Sequence, residues 1–216
     1  MAVTLALAPL TVDQNQPRRV SGLLASKKVT DISLAAIGDP SGDRAHTCAV
    51  ADGRAYCWGW NTSGALGDNS TTSSTIPVTV NRGTLSSLGT TTVKQIAVGR
   101  YHSCALTDQA LPTVYCWGGR TGTNWGLLGN NSDTITISLI PTAVYTGTED
   151  GYGLGSKTIT NIVARGNRTC VIANGSNFCW GFNSEYQIGD GTTITRTRPT
   201  IATYLDQQQK NHFLLT

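Results

Sequence analysis

Charged residues are scarce in this 216-residue sequence, where Asp, Glu, Lys and Arg together make up 13%. The formal net charge is +3, and no basic run exceeds the pairs Arg18-Arg19 and Lys27-Lys28. A nucleic-acid-binding surface needs a basic cluster or stripe, so we expect no nucleic-acid partner. No apolar stretch approaches the ~20 residues of a membrane-spanning helix, so we expect no membrane span.

Sequence motifs of the common enzyme classes are also missing. The chain has no Gly-x-Ser-x-Gly elbow, no phosphate-binding glycine loop opening a helix, and no metal-ligand cluster. Acidic residues such as Asp43 and Glu149-Asp150 are scattered among polar stretches. We therefore expect no catalytic residue, no cofactor, no metal site and no enzyme activity, unless acidic residues cluster at a central channel.

Glycine, in contrast, is abundant, with 24 residues, and Thr, Ser and Asn are plentiful. These residues have weak helix propensity, so they disfavour long helices. The composition is typical of an all-β protein with many short strands joined by polar turns. The opening Met1–Ala8 lacks the basic start of an export signal, and the alternation from Val3 to Val12 favours strands instead.

A motif with two cysteines recurs three times, and prolines follow the same period of about 60 residues. Such a period is the signature of repeat architectures. We predict one β-propeller domain over residues 1–216, with repeats at about 17–76, 77–140 and 141–198 and flanks at 1–16 and 199–216. The copies are His46-Thr47-Cys48 with Tyr56-Cys57-Trp58-Gly59, His102-Ser103-Cys104 with Tyr115-Cys116-Trp117-Gly118, and Arg168-Thr169-Cys170 with Phe178-Cys179-Trp180-Gly181.

The cysteines of each copy are predicted to face each other across a hairpin. Two-residue turns at Asp52-Gly53 and Asn174-Gly175 are of the preferred hairpin type. Counted outward from these turns, the two cysteines form a non-hydrogen-bonded pair with Cα atoms about 4.5 Å apart, close enough for a disulfide. The predicted pairs are Cys48–Cys57, Cys104–Cys116 and Cys170–Cys179. Buried free thiols and a zinc site remain open alternatives, although the gaps between cysteines do not fit zinc motifs.

The repeats resemble those of the regulator of chromosome condensation family. Val98-Gly99-Arg100-Tyr101-His102-Ser103-Cys104-Ala105-Leu106 and Trp58-Gly59-Trp60-Asn61 carry the similarity, which covers roughly residues 17 to 200. The resemblance implies a β-propeller, and the form with Cys before Trp-Gly is similar to secreted bacterial members. The family's namesake exchanges nucleotide on a small GTPase and docks on chromatin, but propellers of this kind serve unrelated roles.

We expect the repeated residues to build the blades, and the residues that depart from the repeat to form a binding surface. We expect Trp58, Trp117 and Trp180 to pack between blades, and Gly59, Gly118 and Gly181 to allow close backbone approach or positive φ. The second copy has a longer loop, and Trp60, Arg120 and Trp125 lie outside the repeating set. Trp and Arg are common interface anchors, so these three are the candidate binding residues. The alternative is that both tryptophans merely pack on a loop.

Three blades do not close a ring of typical propeller size, which needs at least about four. Two solutions are open: the flanks 1–16 and 199–216 build a shared fourth blade, or the chain is an arc of a longer propeller. The family commonly has seven blades. An open arc would expose sheet edges and would tend to self-associate.

The function expected from these observations is a non-enzymatic binding or scaffold module that contacts a protein or glycan partner through its loops. The predicted disulfides favour an extracellular, cell-surface or periplasmic location. The alternatives are a structural subunit of an extracellular appendage, a proteinaceous enzyme inhibitor and, less favoured, a GTPase exchange factor.

Overall fold

The computed structural model describes residue 20 and residues 22–35, 45–81, 88–122, 124–149 and 151–202. Three four-stranded antiparallel sheets account for nearly all of the regular structure in these residues. We call the sheets blades one, two and three in chain order. Blade one contains β1 (Val29–Leu34), β2 (His46–Ala51), β3 (Arg54–Gly59) and β4 (Ser74–Thr79), preceded by a short 3-10 helix, Gly22–Leu24. Blade two contains β5 (Val93–Val98), β6 (His102–Thr107), β7 (Val114–Gly119) and β8 (Ile137–Ala143), and blade three contains β9 (Ile159–Arg165), β10 (Arg168–Ala173), β11 (Ser176–Gly181) and β12 (Arg196–Ile201).

The central hairpin of each blade has the register expected from its turn. Asp52 and Asn174 both adopt positive φ, at 48° and 49°, and each is followed by a glycine with positive φ. This conformation matches the right-handed twist of the flanking strands. The predicted disulfides are present, each between directly paired residues with a Cα–Cα distance of 4.1 Å: Cys48–Cys57, Cys104–Cys116 and Cys170–Cys179. No cysteine is free.

The blades pack face to face in the order one, two, three, with blade two in the middle. One apolar core joins blades one and two, and it includes Val50, Leu66 and Ile96. A second core joins blades two and three, and it includes Leu106, Leu128 and Ile162. The core of this protein therefore lies between sheets, so each blade needs a neighbour to bury its two faces.

The prolines that mark the sequence period lie in the outermost strands. Pro77, Pro141 and Pro199 fall within β4, β8 and β12, which are edge strands and tolerate a residue without an amide hydrogen. Pro199 through Ile201 thus belong to blade three. The rest of the predicted fourth blade, residues 1–16 and 203–216, lies outside the described residues. Within the described part, no helix is long and apolar enough to cross a membrane.

Candidate binding face and blade junctions

The repeated tryptophan of one blade lies against a glycine of the blade before it. Trp117 is fully buried, and its indole N–H donates a 2.9 Å hydrogen bond to the carbonyl of Ala65. A Cβ placed on Gly67 would come within 2.6 Å of this indole. Blade three repeats the arrangement, because Trp180 is fully buried and lies over Gly129 in the same way. We call Gly67, Gly129 and the equivalent Gly189 the cradle glycines.

Trp58 differs from its two counterparts. It is only half-buried, and it packs at the edge of a small cluster that contains Leu24 and Tyr56. The expectation that all three repeated tryptophans pack between adjacent blades therefore needs a correction at Trp58. The reason is positional: Trp117 and Trp180 each have a preceding blade, whereas no described strand lies before blade one.

The repeated histidine also acts across the junction to the next blade. His46 Nε2 lies 2.8 Å from Ser103 Oγ, and His102 Nε2 lies 2.7 Å from Thr169 Oγ1. Because the Ser103 hydroxyl donates to the carbonyl of Ala65, its oxygen accepts from His46, which places the His46 proton on Nε2. Burial lowers the pKa of His46 to about 4 and that of His102 to about 3. Both imidazoles are therefore neutral structural groups at physiological pH.

The glycines after the repeated tryptophans all adopt positive φ, at 106°, 83° and 112° for Gly59, Gly118 and Gly181. A Cβ on any of them would collide with the backbone at the start of the paired second strand. One repeated residue was not predicted from the sequence. A leucine precedes the first strand of every blade by the same interval, and all three copies are buried in the apolar clusters: Leu24, Leu88 and Leu154. Its constant offset from the strand is the signal that would have identified it.

Four aromatic side chains form a row across one end of all three blades, and we call Trp60, Tyr101, Trp125 and Phe182 the aromatic row. The ring centroids of Trp60 and Tyr101 are 6.2 Å apart, and those of Tyr101 and Trp125 are 6.0 Å apart, both with edge-on geometry. Trp125 and Phe182 are 5.2 Å apart. These separations lie within the favourable range for aromatic pairs. Tyr101 is buried, while Trp60, Trp125 and Phe182 are half-exposed.

Arginine side chains cover the row. The Arg120 guanidinium lies 4.0 Å from the Trp125 ring centroid and 5.9 Å from that of Tyr101. Arg100 lies 5.1 Å from the Tyr101 centroid on the same face. Such cation–π contacts hold a guanidinium in place over a ring. Among the described residues, no carboxylate forms an ion pair with Arg120.

The additional residues in the loop of blade two place Trp125 in the row. Asn124 accepts a hydrogen bond from the amide of Gly126 at 2.9 Å and donates to the carbonyl of Ser132 at 2.8 Å. Gly126 lies so close to Arg196 of blade three that a Cβ there would collide with the Arg196 backbone. Trp60 and Phe182 follow the Trp-Gly motif of their blades, whereas blade two has Gly119 there, and the loop supplies Trp125 instead.

The structure thus brings the three candidate binding residues, Trp60, Arg120 and Trp125, to one face. A depression of about 300 Å³ lies between Trp60, Tyr101 and Arg120. Tyr101 and Phe182, the other two members of the row, were not among the predicted binding residues. Phe182 could have been found from its position, because it follows Trp180-Gly181 as Trp60 follows Trp58-Gly59.

These observations define the described chain as an all-β repeat protein with three propeller blades. The model of the regulator of chromosome condensation (RCC1) repeat matches residues 52–106, from the hairpin turn of blade one to the second strand of blade two. The E3 ubiquitin-protein ligase HERC2 of Homo sapiens is 30% identical over 201 residues, which are 92% of this chain and 4% of HERC2. The chain therefore carries repeats of the RCC1 type.

Solved structures show the same fold. Human WBSCR16 superposes with a TM-score of 0.64 at 21% identity, over 85% of this chain and 42% of that protein. Prp20p of Saccharomyces cerevisiae, a structure described together with its binding to Gsp1p and histones, gives a TM-score of 0.60 at 19% identity, over 76% of this chain and 37% of Prp20p. The chain therefore spans less than half the length of these similar proteins.

Proposed function

We propose that this chain is a non-enzymatic binding module for a protein partner, and that the aromatic row and its arginines form the contact surface. The observation that carries the proposal is the convergence on one face of Trp60 from blade one with Arg120 and Trp125 from the extended loop of blade two. The RCC1-type propeller is a fold of protein-binding modules. Half-exposed tryptophans beside arginines are the residue types that dominate binding energy at interfaces.

The charges around the row favour an acidic partner. Arg165 ends β9 and Arg168 begins β10, and the two are paired at the same end of the blades as Arg100 and Arg120. Arginines concentrated at one end of the blades favour a partner with carboxylates, and the Arg120 guanidinium beside the Trp125 ring can bind a carboxylate through paired hydrogen bonds. The proposed partner therefore presents an acidic segment with apolar or aromatic side chains.

The place of action that fits the chain best is outside the cytosol: secreted, on a cell surface or in a periplasm. The support for it is the set of three disulfides, since disulfides persist in oxidising compartments. Blocking thiols during isolation from the natural source and measuring the intact mass tests this part. Alkylation of the cysteines without prior reduction would contradict it.

Self-association belongs to the same proposal, because the outer sheet faces of blades one and three expose large apolar side chains. A structural subunit of an appendage would use those faces to bind further copies of itself. An inhibitor would instead use the aromatic row to bind a different protein.

The contact surface can be tested with a random peptide library displayed on phage. The library is panned on the purified chain, and the enriched peptides are then assayed for binding to a variant that carries both Trp60→Ala and Trp125→Ala. We expect the enriched peptides to be acidic, and we expect Trp125→Ala or Arg120→Ala to weaken them roughly tenfold or more, the usual cost at a central anchor. Leu111→Ala, an exposed apolar position in the β6–β7 hairpin loop, is the matched control.

The alternatives give different results in the same assay. Peptides that bind the double variant equally well would contradict the assignment of the aromatic row. A parallel array of neutral and sulfated glycans tests the carbohydrate alternative, since exposed rings and arginines also suit sugars. Binding to glycans alone, lost in Trp125→Ala, would keep the surface and change the partner class.

A further inference from the structure

The two outer faces of the arc expose apolar side chains from the first two strands of their blades. On blade one, Ile32 and Leu34 of β1 are 57% and 65% exposed. On blade three, Val163 of β9 is 57% exposed and Ile172 of β10 is 39% exposed. These are strand residues with regular pairing partners, so their exposure follows from the uncovered sheet faces.

The equivalent residues in the middle blade are buried in the junctions. Ile96 and Val98, which correspond to Ile32 and Leu34, lie in the core between blades one and two. Ala97 and Leu106, which correspond to Val163 and Ile172, lie in the core between blades two and three. Each junction joins one face of a blade to the opposite face of the blade that follows it. The outer face of blade one therefore has the residues that meet a preceding blade, and the outer face of blade three has the residues that meet a following blade.

The tryptophan and the glycine that meet at each junction are also found separately on the two outer blades. Blade one carries the half-buried Trp58, the counterpart of Trp117 and Trp180. Blade three carries the third cradle glycine, Gly189, where a Cβ would meet only Ala202, at 3.4 Å. Gln187 precedes Gly189 by two residues, as Ala65 precedes Gly67 and Leu127 precedes Gly129, so its carbonyl is the equivalent of those that accept from the indoles.

The geometry points to a second copy of this chain as the occupant of both faces. We propose a head-to-tail dimer in which Trp58 of each copy lies over Gly189 of the other, with Ile32 and Leu34 against Val163 and Ile172. This inference rests on the self-association part of the proposed function and specifies its contacts.

Closure into a ring favours the dimer over a filament. Two copies with three blades each bring six blades, within the roughly four to eight of closed propellers. Such a ring has twofold symmetry and two identical junctions, so no outer face of β1 or β9 remains exposed. Within one copy, the described residues of blades one and three cannot cover each other's outer faces, because the two blades lie on opposite sides of blade two.

The proposal is tested by the mass of the purified full chain in light scattering after size exclusion, loaded from about 1 to 100 µM. We expect a dimer of twice 22.8 kDa at the upper concentrations. Leu34→Glu breaks one half of the junction and Val163→Glu breaks the other, so each variant alone should dissociate at least tenfold more readily. Leu111→Glu, with similar exposure at a hairpin loop, is the control that should remain dimeric.

Mixing the two variants distinguishes the head-to-tail arrangement from any other. A Leu34→Glu copy and a Val163→Glu copy still share one native junction, so the equimolar mixture should associate more tightly than either variant alone. Gly189→Ala should weaken the dimer more than Gly166→Ala, because both alanines carry the strain of positive φ but only the Cβ at position 189 occupies the place of the Trp58 indole.

Two results would overturn the inference. One is a wild-type chain that remains monomeric at every concentration, which would mean that the faces are covered by the chain's own remaining residues. The other is a dimer that only one of the two glutamate variants disrupts, which indicates a like-to-like contact. Peptide binding by the monomeric Leu34→Glu variant would show that the aromatic row functions independently of the dimer.

Discussion

At the scale of single residues, the two buried histidines connect the blades. Each imidazole is held between a sheet and a hydroxyl of the next blade, His46 at Ser103 and His102 at Thr169. The Nδ1 atoms of both rings are buried without a hydrogen-bond partner. A proton added to either ring would place a charge in a desolvated site, and this burial explains why the pKa of both groups is lowered. The repeat places a histidine at the same position of its first two copies, but nothing in the sequence indicates the hydroxyls that these histidines bond.

We predict that the free energy of unfolding falls as the pH drops below about 6.5. The unfolded chain binds protons at an ordinary histidine pKa, and the folded chain does so only near pH 4 for His46 and pH 3 for His102. Between these values the unfolded state holds more protons, so acid favours it. At pH 5 the loss should be about 2 kcal/mol per histidine.

Urea unfolding at pH 7.5 and pH 5, with the disulfides intact, measures this effect. The variant His46→Gln keeps a side-chain hydrogen bond in reach of Ser103 but cannot titrate. Its stability should therefore depend less on pH than that of the wild type, by about 2 kcal/mol over the same interval. An identical pH dependence in the two proteins would show that His46 already accepts a proton in the folded state.

At the scale of elements, the loop after the third strand has two tasks. It receives the tryptophan of the next blade at its cradle glycine, and in blade two it also supplies Trp125 to the aromatic row. A buried asparagine organises the loop in blades one and three: Asn61 accepts from the amide of Leu66, and Asn183 from that of Ile188, both at 2.8 Å. The loop is therefore a rigid part of the junction.

We predict that Gly129→Ala destabilises the protein more than Gly166→Ala. Both glycines have similar φ, 61° and 57°, so the backbone strain of alanine is similar in both. Only at Gly129 does the new Cβ meet another group, the Trp180 indole at 2.7 Å, whereas nothing lies near Gly166. Overpacking of this kind costs roughly 1–3 kcal/mol beyond the strain.

Thermal and urea denaturation of the two variants and the wild type give the comparison directly. Near-ultraviolet circular dichroism of Gly129→Ala should also change, because the Trp180 ring must move. An equal decrease in the free energy of unfolding of both variants would mean that the junction at Gly129 adapts to the methyl group at no cost, contrary to the close packing described above.

At the scale of the whole molecule, the position of a blade in the arc decides how well its disulfide is covered. Each disulfide lies on the sheet face that meets the following blade. Cys48–Cys57 and Cys104–Cys116 are fully buried there, and their sulfurs lie near Ser103 and Thr169 of the next blade. In blade three, Cys170 is only half-buried. Three chemically identical hairpins thus have different environments.

We predict that a mild reductant opens Cys170–Cys179 first. Exchange requires a thiolate to reach a sulfur atom, and access is available only at the outer face of blade three. Limited reduction of dilute protein, followed by alkylation and peptide mass analysis, gives the order. The loops closed by the bonds are short, so loss of the third bond should cost about 2 to 3 kcal/mol. Simultaneous opening of all three would mean that reduction requires global unfolding.

Much of this architecture follows from local sequence. The Asp52-Gly53 and Asn174-Gly175 turns determine the hairpin register, because two-residue loops with positive φ leave no freedom in which strand residues pair. That register places cysteine opposite cysteine, and repetition of the motif predicts the propeller. The pairing of the fourth strands and the sheet order follow in the same way from neighbours along the chain.

Only the tertiary structure decided what lies across the junctions. Trp117 and Gly67 are far apart in sequence, and nothing local indicates that the ring of one requires the missing side chain of the other. The aromatic row likewise depends on the angle at which three sheets stack and on a loop that leans on the next blade. Blade packing also explains why Trp58 differs from Trp117 and Trp180 in an identical motif. A sequence motif specifies the chemistry of a side chain, but its burial depends on whether another blade covers it.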